Sequence, residues 1–195
     1  MDKNEIYSLD NEKIKQIAEH YKAILSILGE DPEREGLAKT PERAAKAMAY
    51  VTSGYRMDAD EIVKSAIFTH EGSRMVIVRD IEFYSLCEHH ILPFYGKVSV
   101  GYIPDGKIVG LSKVARAVEV FARRLQVQER MTRQICDVLT RELSAKGVIV
   151  MSEATHMCMC MRGIEKKMST TEAVEYSGAF ADASLRQEFY DMLRK

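Results

Sequence analysis

The sequence predicts an α+β fold, and three observations predict it. The front third places its apolar residues at helical spacings and lacks strand-type runs. From Met75 onward, strand runs and helical stretches follow in the order β-β-α-α-β-β. A last helical stretch, Ser184 to Leu193, closes the chain. The length of 195 residues suits one functional domain, divided into a helical region over 1–70 and a β-rich catalytic region over 71–195.

The first helix is expected from Asp10 to Leu28, on the spacing of Ile14, Ile17, Ala18, Tyr21 and Leu25, with Gly29 as its stop. Thr40-Pro41-Glu42-Arg43 reads as a second helix start, with Thr at the cap and Pro in the first turn. A third helix is expected over Asp60 to Ile67. Strands follow at Met75 to Leu86 and Gly96 to Ile103, before a Pro104-Asp105-Gly106 turn. Ser112 is placed to cap a helix with the stripe Val114, Val118, Phe121 and Leu125. The next helix begins near Gln128, carries Met131, Ile135, Val138 and Leu139 inward, and stops at Gly147. Cys136 belongs to that apolar stripe as a small buried hydrophobe. Strands at Val148 to Met161 and Thr171 to Tyr176 complete the unit, whose unpaired edges point to self-association.

Composition narrows the function. Hydrophobic residues make up 46% and charged residues 29%, with a formal net charge of −1. That balance supplies no global attraction for nucleic acid or membrane, so an anion site must be a local cluster. No apolar run approaches a membrane span. The start, Met1 to Glu5, is polar and lacks a signal-peptide core. Four cysteines in a chain of this length do not suggest a secreted disulfide scaffold, and a cytoplasmic setting is expected.

The chemistry gathers around Cys87-Glu88-His89-His90. Thiolate and imidazole are zinc ligands, and a two-residue spacer lets Cys87 and His90 converge from a tight turn. A further ligand is expected from Ala154 to Arg162. Read as a strand, this alternating stretch places His156, Cys158, Cys160 and Arg162 on one face and Met157, Met159 and Met161 on the other. Cys158 is the expected third ligand, and Cys160 stays ambiguous. Two Cys and one His leave a fourth position for water, which suggests metal-assisted hydrolysis. His89 and His156 have two readings each, ligand or structural hydrogen-bonder against proton shuttle; acid/base work is favoured for His156.

Local cations point to phosphate. Ser112-Lys113-Val114-Ala115-Arg116 opens a helix with two cations in a turn where the macrodipole does not favour them. Arg43 and Lys46 sit similarly after Pro41, and Arg162 follows Cys160. Glu129 in Gln128-Glu129-Arg130 either favours the helix dipole or accepts hydrogen bonds from a base such as guanine.

Taken together, Cys87-Glu88-His89-His90, Gly110-Leu111-Ser112-Lys113, Gln126-Val127-Gln128-Glu129-Arg130 and His156-Met157-Cys158 resemble GTP cyclohydrolase I, from about Thr40 to the C-terminus. The resemblance implies a tunnelling (T) fold whose β-β-α-α-β-β units assemble into a multi-subunit barrel. It implies a homodecamer of two stacked pentamers with sites at subunit interfaces. The implied reaction converts GTP and water to formate and dihydroneopterin triphosphate, the entry to folate and pterin synthesis, by opening the purine at C8 with metal-activated water. By the same resemblance Cys87, His90 and Cys158 bind Zn²⁺, and His89 and His156 move protons. Glu129, aided by Gln128, anchors guanine, and Ser112 assists the ribose rearrangement. Lys113, Arg116, Arg43, Lys46 and Arg162 hold the triphosphate. Cys160, Glu172 and Glu175 depart from the family's usual residues. Two other classes remain open: a silent purine- or pterin-binding protein with a structural zinc, argued against by the presence of His89, His156 and Ser112, and a purely structural zinc module.

Overall fold

The computed structural model describes residues 9–72 and 74–194. The Met1 to Glu5 start lies outside the described residues. The chain divides into two compact units between Met57 and Asp58.

The first unit is helical. Helix α1 spans Asn11–Ile27, and Asp10 caps it by accepting the Lys13 N–H at 2.9 Å. Gly29, at φ 90°, provides the left-handed residue beyond its end. Helix α2 spans Thr40–Val51. Its cap is Lys39 rather than Thr40, whose hydroxyl instead donates back to the Gly36 carbonyl; Pro41 sits in the first turn as expected. Ile14 packs against Ala45 and Ala49, with Ile17, Ala18 and Tyr21 around them. The small alanines let the two helices approach closely.

The second unit opens with α3, Ala59–Lys64, capped by Asp58. The expected helix to Ile67 ends early because Ile67–Thr69 is a short strand, β1, paired with β4 at Lys107–Val109. The main strands are β2 at Val76–Cys87 and β3 at Pro93–Ile103. After β4 come α4 at Leu111–Ala122, β5 at Leu125–Gln126 and α5 at Gln128–Leu143. Strand β6 at Gly147–His156 runs into one helical turn, α6, at Met157–Cys160. Strand β7 at Thr171–Gly178 and helix α7 at Ala183–Leu193 complete it. This is a mixed α+β architecture with the main elements in the expected order.

The principal sheet has the order β5-β2-β3-β6-β7, antiparallel except for the short β2–β5 pairing. A one-residue bulge between Val78 and Ile81 puts Asp80 at φ 57° and rephases β2 against β3. Period two then places Phe83, Ser85 and Cys87 of β2 on one face, with Phe94, Val98 and Val100 of β3 and Val150, Ser152 and His156 of β6. Helices α4 and α5 pack on this face. Val114, Val118, Met131, Ile135 and Leu139 are wholly buried beneath them. On the reverse face, Phe180 and Phe189 close over Ile149. A Cβ at Gly101 would lie 2.7 Å from the Phe189 ring, so that close approach requires glycine.

Three further local expectations are corrected. Ser112 does not cap α4: Gly110 occupies the cap and no side chain caps the helix. Helix α5 stops at Ser144, in the left-handed region at φ 48°, while Gly147 begins the next strand. The strand expected to run to Met161 ends at His156. Its ladder partner is exhausted there, because Phe94 faces His156 and only Pro93 precedes it in β3. On its other side, β7 pairing ends at Ala154. Without a ladder on either side, the backbone satisfies its groups by turning helical.

Candidate functional site

The Cys87 turn is built by its backbone. Cys87 ends β2, donates its N–H to the Leu92 carbonyl at 2.8 Å, and accepts from Ile91 at 2.8 Å and His90 at 3.3 Å. Ile91 takes the left-handed conformation, φ 55°, that closes so short a connection. On its outer side the turn is pinned by β5: Cys87 pairs with Gln126, and the Glu88 N–H donates to the Gln126 carbonyl at 3.0 Å. The Glu88 carboxylate receives a two-pronged hydrogen bond from Arg130 at 2.6 and 2.8 Å, and this guanidinium holds its carboxyl below the ordinary range.

Cys158 reaches the turn from α6. Donor atoms of Cys87, His90 and Cys158 all lie within 4.8 Å of one another. Among the described residues this is the one His/Cys/Asp/Glu group so arranged. Burial first, and then the Cys87 sulfur, push the Cys158 thiol above its ordinary value, while Arg162 pulls it down. A Cys158 thiol held up by burial and a neighbouring sulfur fits a shared cation, which would stabilise its thiolate. Two sulfurs and an imidazole nitrogen are a donor set suited to zinc. Cys160, expected on the same strand face, points elsewhere once the strand reading fails. It is buried, and its thiol donates to the Lys166 and Lys167 carbonyls at 3.7 and 4.0 Å.

His156 is the most tightly held of the candidate groups. Its ring lies parallel to Phe94, with centroids 4.7 Å apart and planes 1° from parallel. Its Nε2 lies 2.8 Å from Gln128 Oε1. Burial lowers its pKa, and the charge of Glu129 opposes that shift. His89 is largely exposed, with Nδ1 3.8 Å from the Cys87 sulfur. The structure therefore brings Cys87, His90 and Cys158 together, with His89 against the Cys87 sulfur, Arg162 near enough to act on the Cys158 thiol, and Glu129, on the first turn of α5, near enough to act on His156.

Gln128 is almost wholly buried and is tied inward rather than offered to solvent. Its amide nitrogen donates to the Ser152 carbonyl at 3.1 Å, the Ser152 hydroxyl at 3.0 Å and the Thr171 carbonyl at 2.9 Å. Thr132 completes the set, donating to the Gln128 carbonyl at 2.8 Å and meeting Ser152 Oγ at 2.7 Å. Sequence reasoning missed Thr132, Ser152 and Phe94, and left the Glu88–Arg130 pair unassigned. A signal for the first two existed: Gln128 and Thr132 stand at i and i+4 of α5, on the face that buries Met131 and Ile135, and Ser152 interrupts an apolar strand face.

The expected phosphate-site residues of α4 lie apart from this cluster. Ser112, Lys113 and Arg116 occupy the start of α4, whereas the end of α4 leads into the Gln126 pairing beside Cys87. About 15 Å of helix separates Ser112 from Ala122 at 1.5 Å per residue. Arg43 and Lys46 are exposed on α2 of the first unit, where Lys46 pairs with Glu42.

A sheet whose connecting turn, strand end and helix start converge two thiols and an imidazole beside a seated histidine defines a candidate metal-dependent enzyme centre. The chain belongs to the GTP cyclohydrolase I family, whose sequence profile matches residues 17–194. It is 55% identical to GTP cyclohydrolase 1 of Bacteroides fragilis over 195 residues, covering 100% of this chain and 99% of that protein. It is 56% identical to the protein named GTP cyclohydrolase 1 1 of Pseudomonas aeruginosa over 178 residues, covering 91% and 96%. Among solved structures, an archaeosine synthase QueF-Like protein in the apo form is similar at TM-score 0.43 and 17% identity, covering 56% of this chain and 98% of that one. The α+β architecture fits the tunnelling-fold family. Among the described residues, no helix is long and apolar enough to cross a membrane.

Proposed function

We propose that the chain hydrolyses GTP to formate and 7,8-dihydroneopterin triphosphate at a zinc site held by Cys87, His90 and Cys158. The observation that carries the reading is the convergence of those three donors beside His156 in a member of this family. When bound, the metal supplies a Lewis acid that makes water nucleophilic at neutral pH.

The chain's own residues do the rest. Water adds across the purine N7–C8 bond, and N7 takes a proton; His156, fixed by Phe94 and Gln128, is the group placed to move it. Opening of the C8–N9 bond leaves a formamide, and a second water releases formate. His89, exposed beside Cys87, serves as the second proton carrier. Glu129 accepts hydrogen bonds from the guanine edge, whose N–H groups match a carboxylate, and Gln128 supports that end of the site without touching the base, its amide being tied inward. Lys113, Arg116, Arg162, Arg43 and Lys46 hold the triphosphate, and Ser112 assists the ribose rearrangement before reclosure to the pterin.

A helix length between Ser112 and the thiol cluster supports a site shared between subunits, with α4 of one chain facing the cluster of another. Among the described residues the outer edges of β5 and β7 are unpaired, and they supply surfaces for barrel closure. A homodecamer of two stacked pentamers is the assembly proposed. A cytoplasmic setting agrees with the need to keep the paired thiols reduced. The test is incubation of zinc-loaded protein with GTP, following formate and a pterin that fluoresces after oxidation. Absence of both products from a metal-replete sample overturns the reading.

A further inference from the structure

We infer that Gln128 is a positioning residue that keeps a proton on His156 Nε2 and leaves Nδ1 as the nitrogen through which His156 exchanges protons. The direction of every hydrogen bond in the buried network can be fixed without seeing a hydrogen. The carbonyl oxygens of Ser152 and Thr171 can only accept, so the group of Gln128 that faces them at 3.1 and 2.9 Å is its NH₂. The Gln128 carbonyl oxygen must then face His156, 2.8 Å away. An amide oxygen can only accept, so the proton between them belongs to Nε2 of the imidazole.

The hydroxyls agree with this assignment. Thr132 spends its one proton on the Gln128 main-chain carbonyl. The hydrogen at the Thr132–Ser152 contact must therefore come from Ser152. Ser152 Oγ is left as an acceptor, so it can share one of the two Gln128 NH₂ protons, 3.0 Å away, with the Ser152 carbonyl. Gln128, Thr132 and Ser152 are each at most 1% exposed, so no water competes with these directions. Phe94 keeps the ring plane from turning away.

Nδ1, the ring nitrogen that Gln128 does not engage, is the one left to exchange a proton. The amide therefore fixes which nitrogen works without itself touching the base. The catalytic part of this inference rests on the function proposed above; the proton's position does not.

The test is a solid-state ¹⁵N spectrum of the zinc-loaded full-length chain labelled at histidine, at about pH 8, above the ordinary imidazole value. His156 signals are identified by their loss in His156→Ala. The expected result is a protonated Nε2 and a bare Nδ1. A proton on Nδ1 overturns the inference, and the deciding spectrum is that of the unmodified chain. Gln128→Met is expected to scramble the proton between both nitrogens and to lower kcat by about 10²-fold or more with KM for GTP unchanged. Ser152→Ala, which leaves both backbone acceptors of Gln128 in place, is expected to retain Nε2–H. A Gln128→Met protein with raised KM and unchanged kcat overturns the positioning role. If the unmodified chain releases no formate from GTP, the functional reading fails while the spectrum still decides the tautomer.

Discussion

Glu88 and Arg130 are joined by two near-parallel hydrogen bonds, Nη1 to Oε2 at 2.6 Å and Nη2 to Oε1 at 2.8 Å. One partner stands between Cys87 and His89, and the other follows Glu129 on α5. The pair therefore ties the proposed ligand turn to the helix proposed to read the base.

Loss of this tie is expected to show in metal affinity. Arg130→Ala should weaken zinc about 10- to 100-fold, the usual effect of removing a group that orients ligands. Arg130→Lys should not restore it, because an ammonium cannot make the two-pronged contact. Competition with a chelator measures both, and unchanged affinity in Arg130→Ala would leave the pair a surface contact. The guanidinium lowers the Glu88 pKa, so the pair persists through the ordinary carboxylate range and opens as pH falls through the lowered value.

The two cysteines of α6 are expected to differ sharply. Cys158→Ala should lose zinc, and Cys160→Ala should keep it, because the Cys160 thiol is turned to the Lys166 and Lys167 carbonyls. Metal content of the purified variants checks this. Retained zinc in the first and loss in the second would reassign the ligand.

How the sequence showed this site, and where it misled, turns on what alternation can mean. The convergence of Cys87, His90 and Cys158 was legible from their chemistry as possible ligands, and the order of the main strands and helices from periodicity. The alternation of His156, Cys158 and Cys160 suggested a strand, yet the chain turns helical after His156 because no neighbouring strand extends that far. Ladder partners are a tertiary property that a single stretch does not carry. The short strands β1, β4 and β5 were invisible for the same reason. Gln128 looked like a companion of Glu129, but adjacent residues on a helix do not share a face, and its amide is buried against Ser152.

The buried Cys136 gives a further contrast. Burial pushes its thiol up to about 11, from an ordinary value of 9.0. At about pH 8 it should resist alkylation in the folded chain and react readily on unfolding. Because the fold favours the neutral thiol, its contribution to stability is whole below the ordinary value. It declines as pH rises from there through about 11. Mass spectrometry after a brief alkylation pulse checks the first part, and denaturant midpoints across that alkaline window check the second.

Phosphate and base recognition should separate cleanly. Lys113→Met or Arg116→Met is expected to weaken GTP strongly and guanosine little, whereas Glu129→Gln should weaken both and reduce discrimination against ATP. Equilibrium binding to GTP, ATP and guanosine measures this. Equal losses for GTP and guanosine in Lys113→Met would remove that residue from the triphosphate site.

Whether one chain or two build the site can be read by mixing inactive variants. Ser112 and Lys113 lie at the start of α4, while His156 and the thiol cluster lie beyond its other end. If each site takes its α4 start from one subunit and its cluster from the next, Lys113→Met and His156→Ala damage different halves. His156→Ala alone is expected to be nearly inactive, since loss of a positioned acid/base group costs about 10² to 10⁴ in rate, and Lys113→Met alone to be nearly inactive at GTP concentrations below its weakened affinity. After subunit exchange at equal amounts, random assembly should give about a quarter of sites an intact pair, because a heterologous contact draws each half independently. Formate release from the exchanged mixture should rise toward that fraction of the unmodified rate, with zinc content unchanged in both variants. A mixture no more active than its parents, after exchange is verified by mass, would place Lys113 and His156 in the same chain's site. Such a result would overturn the shared site proposed for this protein.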